Sequence, residues 1–453
     1  MKKTVPVLLS LLLMGLPGAR AHVQDLPPED ELIVKARQFL EALKNTDFQA
    51  AVRDFDETMM RVSGPEKLAE FWKQVPGMFG ALKKQAAARR EEMGGYSIAL
   101  VTCEFEKVTL DARVVFDKNK KIAGFQFVPS LPPAKYEPPK YANPDFFEEK
   151  EVMVGSGDWL LPGTLTVPKG EGPFPALVLV HGSGPNDRDE TIGPNKPFKD
   201  IAWGLASHNI AVVRYEKRTR FFGPKIVADK TLASSFTVKE ETVDDAVAAV
   251  RLLQAMAGID KRRIFVLGHS LGGMLIPRIA ESGQDLGIAG FVIMAGLTRP
   301  VEDAYVKQIS YIVSLDGAIS EEDRKKIDEA RAQSEKVKAL KDADAASETR
   351  ILNASPRYWL DLRGYNPAEA ASKINRPILV LQGSRDYQVT IEDFENWKKS
   401  LRQKENAAFK LYPKLNHLFF EGQGLPTPNE YIQIHGSVAE YVIIDIAAWI
   451  KKN

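Results

Sequence analysis

Ile264-Phe265-Val266-Leu267-Gly268-His269-Ser270-Leu271-Gly272 runs from four apolar residues into the pattern G-x-S-x-G, and residues 273–280 beyond it suit a helix. A serine therefore sits at a strand-to-helix turn. The glycines have a steric purpose: strand and helix approach so closely at such a turn that a side chain at either flank would collide with backbone. The turn strains the serine's own backbone and leaves its hydroxyl exposed above the edge of a sheet. This stretch predicts an α/β architecture and a nucleophile elbow at Ser270.

A serine hydroxyl attacks poorly at neutral pH without a histidine base, and the base needs an acid to orient it, in the chain order Ser, Asp or Glu, His. Pro377-Ile378-Leu379-Val380-Leu381-Gln382-Gly383 is an apolar strand whose carboxyl end delivers Asp386. Phe409-Lys410-Leu411-Tyr412 is another, running out through Pro413 to His417. The chain has six histidines. His22 stands at a processing site, His181 and His269 belong to glycine turns, and His208 and His435 lack a strand-end setting, which leaves His417 as the base. In an open parallel sheet the strands' carboxyl ends gather along one edge, so Ser270, Asp386 and His417 are expected to meet there.

Acyl transfer also needs hydrogen-bond donors aimed at the oxyanion, each worth roughly a hundredfold to a thousandfold in rate. The N–H of Leu271, next after the serine, is one candidate. The second is expected from the turn His181-Gly182-Ser183-Gly184-Pro185 after the strand Leu177-Val178-Leu179-Val180, through Ser183 or Gly182.

Residues 147–453 resemble the α/β-hydrolase superfamily, and within it a bacterial branch of secreted esterases, acyl-thioesterases and lysophospholipase-like proteins with an extra amino-terminal domain. The resemblance rests on the elbow, on His181-Gly182-Ser183-Gly184-Pro185-Asn186-Asp187-Arg188-Asp189, on Pro194-Asn195-Lys196-Pro197-Phe198-Lys199-Asp200 and on Arg214-Tyr215-Glu216-Lys217-Arg218. The branch usually continues R-G-x-G after the basic pair. Here Arg218-Thr219-Arg220-Phe221-Phe222-Gly223 departs from it, leaving the shape of one pocket wall open. The resemblance implies ester hydrolysis by a Ser-His-Asp triad through an acyl-enzyme, on a small-molecule ester or thioester, with no cofactor.

Residues 297–376, between the strand ending at Gly296 and the one starting at Pro377, are too many for an ordinary connection and predict a helical cap. Charges of alternating sign across residues 321–341 read as a solvated helix face. The aromatic Tyr358, Trp359 and Tyr365, in a phrase similar to one in the lysophospholipase-like relatives, are candidates for the acyl-pocket wall.

The basic start Met1-Lys2-Lys3, the apolar run through Leu16 and Ala19-Arg20-Ala21 have the form of a secretory signal cleaved after Ala21, implying a periplasmic or secreted protein. The apolar run is short for a bilayer span, with Pro6 inside it and Pro17 directly after it. Loss of Lys2, Lys3 and Arg20 would turn the formal charge of +1 into −2, so neither nucleic acid nor an anionic membrane is an implied partner. Cys103 is the only cysteine, which excludes an intramolecular disulfide, and its alternating strand context reads as a packed small hydrophobe. The histidines lack the spacing of a zinc site.

At 453 residues the chain is long for one core. Residues 22–131 open with Leu32, Ala36, Phe39, Leu40 and Leu43 at helical spacing. A second helix is expected through Phe48, Val52, Phe55 and Met59, then further helix, then strands alternating at Val101, Cys103 and Phe105, at Ala112, Val114 and Phe116, and over residues 122–128. The pattern predicts a small α+β domain that resembles the cone-shaped NTF2-like type and serves packing or an envelope partner. Prolines from Pro132 to Pro144 make residues 132–146 an extended, semi-rigid connector. A thioesterase or acyltransferase would use the same triad. A prolyl-type peptidase lacks its propeller-sized gate, and a non-catalytic envelope binding protein on the same fold would be expected to lack a triad member.

Overall fold

The computed structural model describes residues 30–93, 96–130, 136–432 and 434–453; the expected signal segment, residues 1–21, lies outside them. Among the described residues no helix is long and apolar enough to cross a membrane.

The amino-terminal unit places four helices, Glu31–Lys44, Phe48–Ala51, Glu57–Ser63 and Pro65–Phe79, before an antiparallel meander of β1 (Leu82–Met93), β2 (Tyr96–Phe105), β3 (Thr109–Phe116) and β4 (Ile122–Pro129). The predicted stripe Leu32, Ala36, Phe39, Leu40 and Leu43 is buried and shares a core with Val101, Cys103 and Val114. Burial pushes the Cys103 thiol up to about 12, the behaviour of a packed hydrophobe. Two expectations fail here. The single helix through Met59 is broken at Phe55, which turns extended so that the Asp56 side chain can cap the next helix at Met59 N–H. Residues 82–93 are a strand, not a helix: Lys, Gln, Ala, Arg and Glu favour helix by only tenths of a kcal/mol each, and pairing with β2 from Leu82–Phe105 to Met93–Tyr96 overrides them.

The larger unit is one sheet of eight strands, β5 (Phe147–Val154), β6 (Leu161–Pro168), β7 (Phe174–Val180), β8 (Ala211–Tyr215), β9 (Ile259–His269), β10 (Gly290–Met294), β11 (Ile378–Gly383) and β12 (Ala407–Tyr412). Its order is β12-β11-β10-β9-β7-β8-β6-β5. The six strands from β12 to β8 are parallel, and β6 and β5 extend that edge antiparallel. The central strands are near-continuous apolar runs because both faces are covered, with Trp449 of the carboxyl-terminal helix Glu440–Lys452 edge-on to Phe265 of β9. Sequence order reverses at β7, which has β8 on one side and β9 on the other, and the crevice at such a reversal is where this architecture places ligands.

The connector is tied down along the described residues 136–146. Tyr136 Oη donates to Asp200 Oδ1 at 2.7 Å and Tyr141 Oη to the Val438 carbonyl at 2.6 Å. Between β10 and β11 stand the helices Val301–Val313, Glu321–Lys338, Pro356–Leu362 and Pro367–Ser372. The charged helix turns only Ile327, Ala330, Ser334 and Val337 inward.

Candidate active site

Ser270 follows β9 with φ 54° and ψ −115°, a conformation that costs an L-residue on the order of 1–3 kcal/mol. Its N–H is held by the Met294 carbonyl at 2.9 Å. A Cβ on Gly268 would stand 2.2 Å from the Gly272 carbonyl oxygen, and one on Gly272 would stand 2.4 Å from that of Val180. Both flanking glycines are thus required by backbone approach.

Asp386 and His417 are brought together from the loops after β11 and β12. His417 Nδ1 lies 2.6 Å from Asp386 Oδ2, with the carboxylate fully buried. Asp386 Oδ1 accepts the N–H groups of Gln388 and Val389 at 2.8 and 2.9 Å, and Oδ2 also accepts Gln382 Nε2 at 3.2 Å. The acid therefore cannot rotate. With Nδ1–H donated to it, the lone pair of His417 is on Nε2. Among the described residues no hydrogen bond joins Ser270 Oγ to His417; in free enzymes such contacts often tighten only around substrate.

Leu271 opens the short helix Leu271–Met274, so its N–H has no partner within that helix. Leu271 and Ser183 line one cavity of about 400 Å³, together with Ile226, Phe236, Tyr358 and Trp359. The residues after Arg218 that depart from the family phrase form helices Arg218–Phe221 and Gly223–Ala228, and Thr219, Gly223, Ile226 and Val227 contribute to this wall. A cavity of about 730 Å³ between the connector and residues 420–441 contains none of Ser270, Leu271 or Ser183.

Two expected residues are engaged otherwise than expected. The Gly182 N–H is consumed by Glu190 Oε1 at 2.6 Å, so it is not free to meet an oxyanion, whereas the Ser183 N–H has no acceptor among the described residues. Tyr365 donates to the Met274 carbonyl at 3.1 Å and stacks under Arg278, lining a separate cavity of about 480 Å³. Tyr358 and Trp359 do line the cavity, each with its polar atom engaged: Tyr358 Oη donates to Glu241 Oε2 at 2.8 Å, and Trp359 Nε1 to the Ile351 carbonyl at 2.8 Å.

Sequence reasoning missed four buried polar residues behind the site. His269 Nε2 donates to the His417 carbonyl at 3.0 Å, while its Nδ1 stands 2.8 Å from Glu190 Oε2, a charge contact outside hydrogen-bond alignment. Burial opposes a charge on His269, but the Glu190 carboxylate outweighs it and raises the imidazole above its ordinary value. At His181 burial outweighs the pull of the same Glu190 carboxylate, with Lys217 adding repulsion, and the imidazole is driven down to about 4. Lys217 Nζ, 2% exposed, donates to the Gly182 carbonyl at 2.6 Å and pairs with Glu241 Oε1 at 2.7 Å. The signal for these was their polarity among apolar neighbours; their partners, distant in sequence, were not inferable.

Residues 177–427 match the alpha/beta hydrolase family, and residues 36–125 match a family described as a protein of unknown function, DUF3887. The chain is 37% identical over 414 residues to Esterase EstD of Thermotoga maritima, covering 91% of this chain and 94% of that protein. Among solved structures it is similar to a hyperthermophilic esterase from the archaeon Pyrobaculum calidifontis (TM-score 0.45, 18% identity, 69% of this chain and 88% of that one). It is also similar to an esterase of Pyrococcus furiosus (TM-score 0.43, 15% identity, 70% and 98%). By the family match over more than half its length and the extent of its likeness to EstD, the chain belongs to the alpha/beta hydrolase family.

Proposed function

We propose that the protein hydrolyses carboxylic esters through an acyl-enzyme on Ser270. Ser270 Oγ attacks the ester carbonyl as its proton passes to His417 Nε2; Asp386 holds the imidazole tautomer and stabilises the imidazolium. The amides of Leu271 and Ser183 receive the oxyanion. His417 then protonates the departing alcohol, and water activated by the same base releases the acid. The observation that carries this reading is the buried 2.6 Å contact of Asp386 with His417 at the strand edge that also bears the strained Ser270; the likeness to EstD supports the ester as substrate.

The largely apolar cavity of about 400 Å³ lies near the lower end of ligand-pocket volumes, which favours one acyl chain of modest length. Tyr358 and Trp359 form part of its wall. The form of residues 1–21 supports export to the periplasm or medium, and the mass of the mature protein tests it.

The deciding experiment is hydrolysis of p-nitrophenyl esters from acetate to palmitate, with a thioester in parallel, by the mature protein and Ser270→Ala. We expect turnover with an optimum below palmitate and a loss of at least roughly a thousandfold in the variant. Turnover confined to the thioester would make it an acyl-thioesterase; unchanged turnover in Ser270→Ala would overturn the nucleophile.

A further inference from the structure

The Gly182 carbonyl and the Ser183 N–H belong to one peptide unit. That unit is planar, and in its trans form the two groups point in opposite directions; the cis peptide among the described residues is at Gly172–Pro173. Whatever fixes the carbonyl therefore aims the amide. Lys217 Nζ holds it at 2.6 Å from the buried side, and Asn186 Nδ2 adds a bond at 3.2 Å. The preceding peptide is held at its Gly182 N–H by Glu190, so the oxyanion loop is clamped through two consecutive peptides by buried charges of opposite sign.

We propose that Lys217 is a positioning residue for ester hydrolysis, which directs and polarises the Gly182–Ser183 peptide so that the Ser183 N–H meets the oxyanion. The inference rests on Ser270 being the nucleophile. A charge-assisted bond to a carbonyl draws electron density from the whole amide and strengthens its N–H as a donor. A fixed ammonium behind the peptide also favours negative charge on the other side, where it develops only in the transition state. Glu241 offsets the cost of burying the ammonium by pairing with it at 2.7 Å through one oxygen, while its other oxygen accepts from Tyr358 in the cavity wall. One carboxylate thus ties the wall to the lysine that aims the oxyanion donor.

The test compares the mature wild-type protein with Lys217→Met and with the double variant Lys217→Met/Glu241→Gln, which leaves no buried carboxylate unpaired. Beside kcat and KM on a p-nitrophenyl ester, two inhibitors of matched chain length are titrated. A trifluoromethyl ketone accepts Ser270 Oγ at its carbonyl carbon: the C–O bond forms, the carbonyl π pair moves to oxygen as an oxyanion, and the serine proton passes to His417. An alkyl alcohol fills the cavity without forming an oxyanion. Since removal of an oxyanion donor outright costs about a hundredfold to a thousandfold, misdirecting one is expected to lower kcat by about ten- to a hundredfold, with KM within about threefold. Ketone affinity should fall by the same factor and alcohol affinity stay unchanged, in both variants. A folded variant with kcat and ketone affinity within about twofold of wild type would overturn the inference, as would equal loss of ketone and alcohol affinity, which marks a merely structural lysine. Ser270→Ala separates the premises: if it retains turnover the nucleophile reading fails, whereas serine-dependent turnover indifferent to Lys217 removes this proposal alone.

Discussion

Asp386 shows how much one carboxylate's surroundings decide. Because Oδ1 is claimed by two backbone N–H groups, an asparagine there must put its oxygen in that place and turn its NH2 toward His417. The imidazole would then have to accept at Nδ1 and carry its proton on Nε2, where the serine's proton is meant to go. Asp386→Asn is therefore expected to lower kcat by about ten-thousandfold while KM changes little, measured on the same ester. At this scale the sequence was readable wherever a residue's position follows from a strand end: Ser270, Asp386 and His417 each come after an apolar run that is a strand of the sheet. It was unreadable where a role depends on a partner from another loop. Gly182 is occupied by Glu190 because that residue, at φ 52°, folds back across eight positions, and no local pattern announces such a turn.

Elements were read well where period or length is unambiguous. The strands flanking the elbow, buried on both sides, appear as apolar runs that nothing else explains. β1 did not, since an edge strand with polar side chains has the composition of a solvated helix. The cap was visible as excess length, but which of its aromatics face the cavity was not: Trp359 and Tyr358 do, and Tyr365, six residues beyond Trp359, packs on Arg278 instead. Trp359 also belongs to the small core with Val337 and Ile351. Trp359→Ala is expected to lower stability by about 3–5 kcal/mol and, by enlarging the cavity, to move the chain-length optimum toward longer esters. Denaturant melts and the ester series check the two effects separately.

Across the whole molecule, the connector meets the larger unit at a titrating group. Burial raises the Asp200 carboxyl to about 7, against about 3.9 in an unfolded chain. Between those values the native state keeps a proton that the unfolded chain has released, so stability falls as pH rises from about 4 to about 7 and levels off above. Asp200→Asn, whose amide can still serve Val438 N–H and Tyr136 Oη, removes that slope. Its melting temperature relative to wild type should climb between pH 4.5 and 7.5; parallel melting curves across that window would show that Asp200 does not titrate there.

The sheet carries a last consequence. β7 and β9 are neighbours with Val180 registered against Gly268, so the loop bearing Ser183 and the turn bearing Ser270 issue from adjacent rungs of one ladder. Their spacing is inherited from main-chain bonds that any side chains of suitable size can maintain. The cavity wall, by contrast, is drawn from an inserted segment and from the helices after Arg218. A lineage can therefore exchange what it digests by rewriting the insert while the rungs that carry the proposed chemistry stay as they are.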